Sequence, residues 1–149
     1  MLEECPEKLT KCVPKNTIFN SPDYKGKLEF VFYDLGVPTK VVINDKLPTK
    51  HNRLIFANSN HSNEFWTALV EKAFAVFQGG YDKIEGGQTS EGLQCLADMI
   101  TQTIKLKEID DGKLTEYVEQ GIACCASSNP GSDTDTVNGI VLGHAQWRK

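Results

Sequence analysis

An α+β fold is what this chain of 149 residues predicts, and three observations carry it. Apolar residues alternate from Leu28, a helical stripe runs from Trp66 to Phe77, and short β-rich runs return after Ile122. Strands at both ends therefore flank a helical middle. Residues 1–27, rich in Lys, Pro, Glu and Asn, show no sustained period and read as an irregular lead-in; residues 28–149 read as one domain, with no internal repeat and no linker.

Leu28, Phe30 and Phe32 alternate with Glu29, Val31 and Tyr33, and Thr39–Asn44 is a second β-rich run beyond the turn-like Asp34-Leu35-Gly36-Val37-Pro38. Two such runs predict a hairpin. Pro48 ends the second run, and Leu54–Ala57 is a short apolar run read as a strand. Asn63 is placed to cap a helix, because its side-chain oxygen can take a free N–H of the first turn. Trp66, Leu69, Val70, Ala73, Phe74 and Phe77 then recur at three- and four-residue steps, and Gly79-Gly80 supplies the left-handed stop. Thr89 or Ser90 caps a second helix with the narrower stripe Leu93, Leu96, Ala97 and Ile100. A third helix is predicted from about Asp111 to Gln120, with Leu114, Tyr117 and Val118 facing inward. Ile122–Ser127 reads as a strand, Asn129-Pro130-Gly131-Ser132-Asp133 as a turn, and Gly139–His144 as the last strand.

Composition removes several function classes. A net charge of −4, with basic residues scattered among acidic ones, gives no nucleic-acid footprint. Met1 is followed by neither a basic lead nor an apolar run, and no stretch is long enough to span a bilayer, so a cytoplasmic protein is expected. The five cysteines, at positions 5, 12, 95, 124 and 125, are odd in number and lack C-x-x-C spacing; reduced thiols are expected. His51, His61 and His144 are too far apart for a helix-borne metal pair.

Three stretches carry a family resemblance. Val41-Val42-Ile43-Asn44-Asp45-Lys46-Leu47-Pro48-Thr49-Lys50 and the Glu64-Phe65-Trp66 helix with its Glu71-Lys72-Ala73 continuation resemble the protease core of calpains, as does Gly143-His144-Ala145. The likeness spans roughly residues 28 to 145, with a break of register around 95–115. It implies a partial papain-like fold, in which 28–149 is part of a calpain-type catalytic domain and His144 is the catalytic imidazole of a calcium-dependent cysteine endopeptidase. Its substrates would be proteins or peptides.

Such chemistry needs a thiolate paired with an imidazole, and a third group to fix the imidazole tautomer. Calpains carry the nucleophile in an upstream Gly-Asp-Cys-Trp segment, preceded by an oxyanion-hole Gln, and the orienting Asn in a downstream Asn-Pro-Trp-Gly turn. Neither segment occurs in these residues, and Asn129-Pro130-Gly131, which precedes His144, is an ordinary turn. Cys95 falls within a helix period and Cys124 and Cys125 within an apolar run, where thiols behave as small hydrophobes; Cys5 and Cys12 lie in the lead-in. None is expected to replace the nucleophile.

Each residue also has a plainer role. His144 could be a surface histidine, Glu64 a first-turn acid favoured by the helix dipole, and the Trp66/Phe74/Phe77 stripe is core. Glu64 matches the calpain Glu that helps hold a structural calcium, but one carboxylate does not make a calcium site, and weak or absent binding is expected. The resemblance therefore implies an incomplete endopeptidase domain, inactive as this chain alone. The alternative is a non-catalytic calpain-like module. Either way, self-association or a partner covering the open core is expected.

Overall fold

In the computed structural model, which describes residues 21–59, 64–132 and 134–147, the alternation at Leu28 becomes strand β1, Lys27–Asp34, paired antiparallel with β2, Val37–Asn44. Leu35 and Gly36, at φ +48° and +82°, form the connection, so the turn is two residues long and β2 starts earlier than Thr39. The inward face holds Leu28, Phe30 and Phe32 from one strand and Val41 and Ile43 from the other, all buried. The outward face is polar enough to stay wet, with a Lys40–Glu29 ion pair of 2.8 Å. The end of the lead-in is tied down here, since Tyr24 Oη donates to Asp45 Oδ2 at 3.0 Å and Asp45 N–H to Gly26 O at 3.2 Å.

Helix α1, Trp66–Gln78, covers the inward face of the hairpin. Its Leu69 and Ala73 enter the core, and Phe32 meets Phe74 and Phe77 with ring centroids 5.7 and 5.2 Å apart. Burying each of Phe30, Phe32 and Leu69 is worth about 1.5–3 kcal/mol, and with Leu28, Val41, Ile43 and Ala73 they form the hydrophobic core cluster among the described residues. Gly79, at φ +98°, ends α1, and Gly80 N–H reaches Ala75 O at 2.7 Å. The predicted cap Asn63 lies outside the described residues; Phe65 stands at the N-cap position without a side-chain bond. Helix α2, Thr89–Ala97, packs Leu93 and Ala97 inward and leans on β1. Gln88, not Thr89 or Ser90, precedes its first turn, and Ile100 falls beyond its end, fully exposed.

Between β2 and α1 the chain makes a small corner, β3 (Thr49–Lys50) and β4 (Arg53–Leu54). The predicted strand Leu54–Ala57 is thus reduced to its first residue. Two neighbouring side chains of α1 hold this segment at both ends. Lys72 Nζ donates to Asn44 O, Asn44 Oδ1 and Lys46 O at 3.0, 2.6 and 2.6 Å, and Glu71 Oε2 accepts from Ala57 N–H at 2.9 Å.

Residues 101–149 form a second unit, distinct from residues 2–100. Helix α3, Asp111–Glu119, is capped by Asp110, whose carboxylate accepts from Lys113 N–H at 2.8 Å. Its expected inward face is not buried: Leu114 and Val118 are exposed and Tyr117 only half-buried. The region Ile122–Ser127 is a strand only over β5, Cys125–Ser127. The predicted last strand Gly139–His144 is instead broken in two. Thr136–Val137 (β6) and Ile140–Val141 (β7) form a hairpin around Asn138 and Gly139, at φ +52° and +78°, and β8 begins only at Ala145, running to Trp147 against β5. No described residue after Ala97 is fully buried. No helix among the described residues is long and apolar enough to cross a membrane.

Candidate functional site

His144 lies at the entry to β8 and is exposed. Its position is set by the backbone on either side of it. Gly143 precedes it at φ +70°, a left-handed conformation in which a side chain is strained, and donates its N–H to Asn129 O at 2.9 Å. A Cβ on Gly143 would come within 2.6 Å of Gly131 O, so the turn 129–132 closes directly over this glycine. After the histidine, Ala145 pairs with Ser127 in the β5–β8 ladder.

Ser128 completes the frame. Its N–H donates to His144 O at 2.8 Å, its hydroxyl donates to the same oxygen at 3.1 Å, and His144 N–H donates to the hydroxyl oxygen at 3.0 Å. Sequence reasoning missed this residue, because it acts on the backbone of His144 through strand register and carries no motif. The arrangement holds the main chain of the histidine and leaves its ring on the surface, the disposition an imidazole needs to exchange protons with something brought to it.

The thiols are placed differently. Cys95 is half-buried on α2, where burial first, then the carboxylates of Asp34 and Glu91, pushes its thiol above the ordinary range. Burial and its neighbour Cys124 raise the thiol of Cys125 in the same sense. Cys124 precedes β5, with its sulfur 3.5 Å from Ile122 O. Raised thiol pKa values mean less thiolate at neutral pH, the opposite of an activated nucleophile. Cys5 and Cys12 lie outside the described residues, as does His61.

Glu64 stands just before α1, half-buried, and its Oε2 accepts from Ser59 Oγ at 2.6 Å. That bond ties the polar loop ahead of the helix to the helix start. Among the described residues no group of three or more His, Cys, Asp or Glu side chains gathers in a metal-holding cluster. A shallow apolar dimple between the 47–57 corner and α1 is lined in part by Leu47, Phe56, Ala68 and Tyr81, with no enclosed room for a ligand. Phe56 and Tyr81 stack there at 4.2 Å, and the Tyr81 hydroxyl is buried with no hydrogen-bond partner.

Comparison with known proteins gives a consistent result. The family model described as "Calpain family cysteine protease" matches residues 1–146, which extends past the 28–145 stretch into the lead-in. The chain is 40% identical over 146 residues to Calpain-8 of Rattus norvegicus, covering 92% of this chain and 20% of that protein. It is 33% identical over 142 residues to Calpain clp-4 of Caenorhabditis elegans, covering 91% and 20%. To the Calpain-2 catalytic subunit of Gallus gallus it is 32% identical over 146 residues, covering 93% and 21%. The chain thus spans about a fifth of the length of these relatives.

Proposed function

Because the chain belongs to the calpain family of cysteine proteases, we propose that it is a segment of a calcium-dependent cysteine endopeptidase core, residues 28–149 lying within the catalytic domain and His144 being its imidazole. The observation that carries this reading is the frame around His144: a left-handed Gly143 on one side, the β5–β8 ladder on the other, and Ser128 gripping the backbone between them. In that role His144 lowers the pKa of a nucleophilic thiol and later protonates the leaving amine. The substrates are proteins or peptides, and the setting is cytoplasmic.

The thiol and the orienting Asn come from segments that these 149 residues do not contain. As an isolated polypeptide the chain is therefore inactive. Loss of a nucleophile in a serine protease of equivalent logic costs roughly a millionfold in turnover, against about a hundred- to ten-thousandfold from a general base. Calcium belongs to the family reading, with Glu64 as a single contributing carboxylate; weak or absent binding by this chain follows from the six to eight oxygens the ion prefers.

A non-catalytic module that takes a partner is the second reading. It is favoured by the second unit, where Val118, Ile122, Val137 and Ile140 are exposed and no described residue is fully buried. The test is turnover of a fluorogenic peptide by the purified chain, with and without calcium, alongside labelling by a thiol-directed epoxide. No turnover and no selective label are expected. Calcium-stimulated turnover with one cysteine labelled would show that a substitute nucleophile exists.

A further inference from the structure

Among the described residues β1 and β2 make a two-stranded sheet, so β2 has an outer edge with no strand beside it. Which backbone groups face that edge follows from the turn. With only Leu35 and Gly36 between them, Asp34 and Val37 can close the hairpin only as a pair that exchanges both backbone hydrogen bonds. The far end agrees in phase, since Asp45 donates its N–H to Gly26 O at 3.2 Å. Phe32 with Thr39, Phe30 with Val41 and Leu28 with Ile43 are therefore the bonded pairs, and the backbone groups of Pro38, Lys40, Val42 and Asn44 turn outward.

Both ends of this edge are blocked. Pro38 brings no N–H, and because it lies outside the bonded pairs the hairpin loses nothing by it. The Asn44 carbonyl already accepts from Lys72 Nζ at 3.0 Å. Between these two ends stand Lys40 and Val42, both exposed, with the Lys40 ammonium paired to Glu29 at 2.8 Å. A second β2 laid antiparallel with Lys40 opposite Val42 would set Pro38 opposite Asn44 at the next rung on each side. The bond from residue 38 to the Asn44 carbonyl then lacks its donor and finds its acceptor engaged. What remains is shorter than the roughly five or six residues of an ordinary strand, and so short a pairing is marginal in water.

We propose that Pro38 and Lys72 close the outer edge of β2 against strand addition, so that the hairpin does not pair with the β2 of a second copy of this chain. A bare edge is a template for such pairing. The inference is independent of the protease reading and concerns β2 alone.

The test is amide hydrogen exchange, read residue by residue over protein concentrations from micromolar to millimolar. Pro38→Val restores the missing donor without removing a hairpin bond, and Pro38→Val combined with Lys72→Met also frees the Asn44 carbonyl. Protected Phe30 and Ile43 amides report that the hairpin is intact in each chain. Lys40 and Val42 amides of the wild type should exchange freely at every concentration. In the folded variants they should slow severalfold as concentration rises, and more so in the double variant. Pro38→Ala, which restores the donor without a branched side chain, carries the same test should the valine variants lose Phe30 protection. Wild-type Lys40 and Val42 amides that slow with concentration would overturn the proposal, because the edge would then be open. Folded variants whose Lys40 and Val42 amides exchange at the same rate throughout would overturn it as well.

Discussion

Ser128 and His144 are joined by three hydrogen bonds, and none of them uses the imidazole: the serine N–H and hydroxyl both reach the histidine carbonyl, at 2.8 and 3.1 Å, while the histidine N–H returns to the hydroxyl at 3.0 Å. Ser128→Ala removes two of the three and keeps the backbone bond. With a net value of about 0.5–1.5 kcal/mol per bond, the variant should lose about 1–2 kcal/mol of local stability. Hydrogen exchange at the His144 amide should accelerate accordingly, whereas exchange at core amides of α1 should not change. Unchanged exchange at His144 would show that the serine does not hold it.

Lys72 is the second clamp, with its ammonium on three oxygens of the Asn44–Lys46 corner. Lys72→Met keeps the apolar stem and removes the donors, and should cost about 1–2 kcal/mol in urea unfolding. Lys83→Met breaks only an exposed ion pair with its neighbour Asp82 and should stay within about 0.5 kcal/mol. Equal effects of the two variants would contradict the role given to Lys72.

The thiols make a pH prediction. Burial is the largest cause raising both Cys95 and Cys125 above the ordinary value of about 8.5. A group raised on folding binds its proton more tightly in the native state, so its contribution to stability is complete below the unfolded pKa and is lost as pH rises through the folded one. Alkylation by iodoacetamide, followed peptide by peptide, should therefore show midpoints more alkaline in the native chain than in urea. A midpoint at or below the unfolded value for either cysteine would mark it as an activated thiol.

Calcium gives a fourth outcome. One Glu64 oxygen already accepts from Ser59, and calorimetry on the isolated chain should find the same weak or absent binding in the wild type and in Glu64→Gln. Micromolar affinity lost in the variant would contradict this and would make Glu64 a true ligand.

Much of residues 28–97 was legible because its pattern is local. Alternation at Leu28, Phe30 and Phe32 and the helical step from Trp66 to Phe77 each report one face packed on a core, and those faces meet. Past residue 100 the same reasoning worked less well. Leu114 and Val118 have the spacing of an inward stripe but remain exposed, since spacing marks a face without supplying a surface to cover it. The apolar run Gly139–Leu142 reads as one strand only if the Asn138-Gly139 turn signal is overlooked; positive φ at both residues folds it into a hairpin. For the candidate site, His144 and Glu64 are proposed from family motifs, whereas the bonds made by Ser128 and Lys72 could not be read from sequence, because each acts on backbone atoms brought close by tertiary structure.

The most direct measurement of the role assigned to His144 is made in a chimera. Residues 28–147 would replace the matching stretch of Calpain-8 from Rattus norvegicus, 40% identical to this chain, so that the relative supplies the flanking sequence. Calcium-stimulated turnover of a fluorogenic peptide should appear in the folded chimera, and His144→Ala should reduce it by at least about a hundredfold with the unfolding midpoint unchanged. A folded chimera whose turnover survives His144→Ala would contradict the assignment.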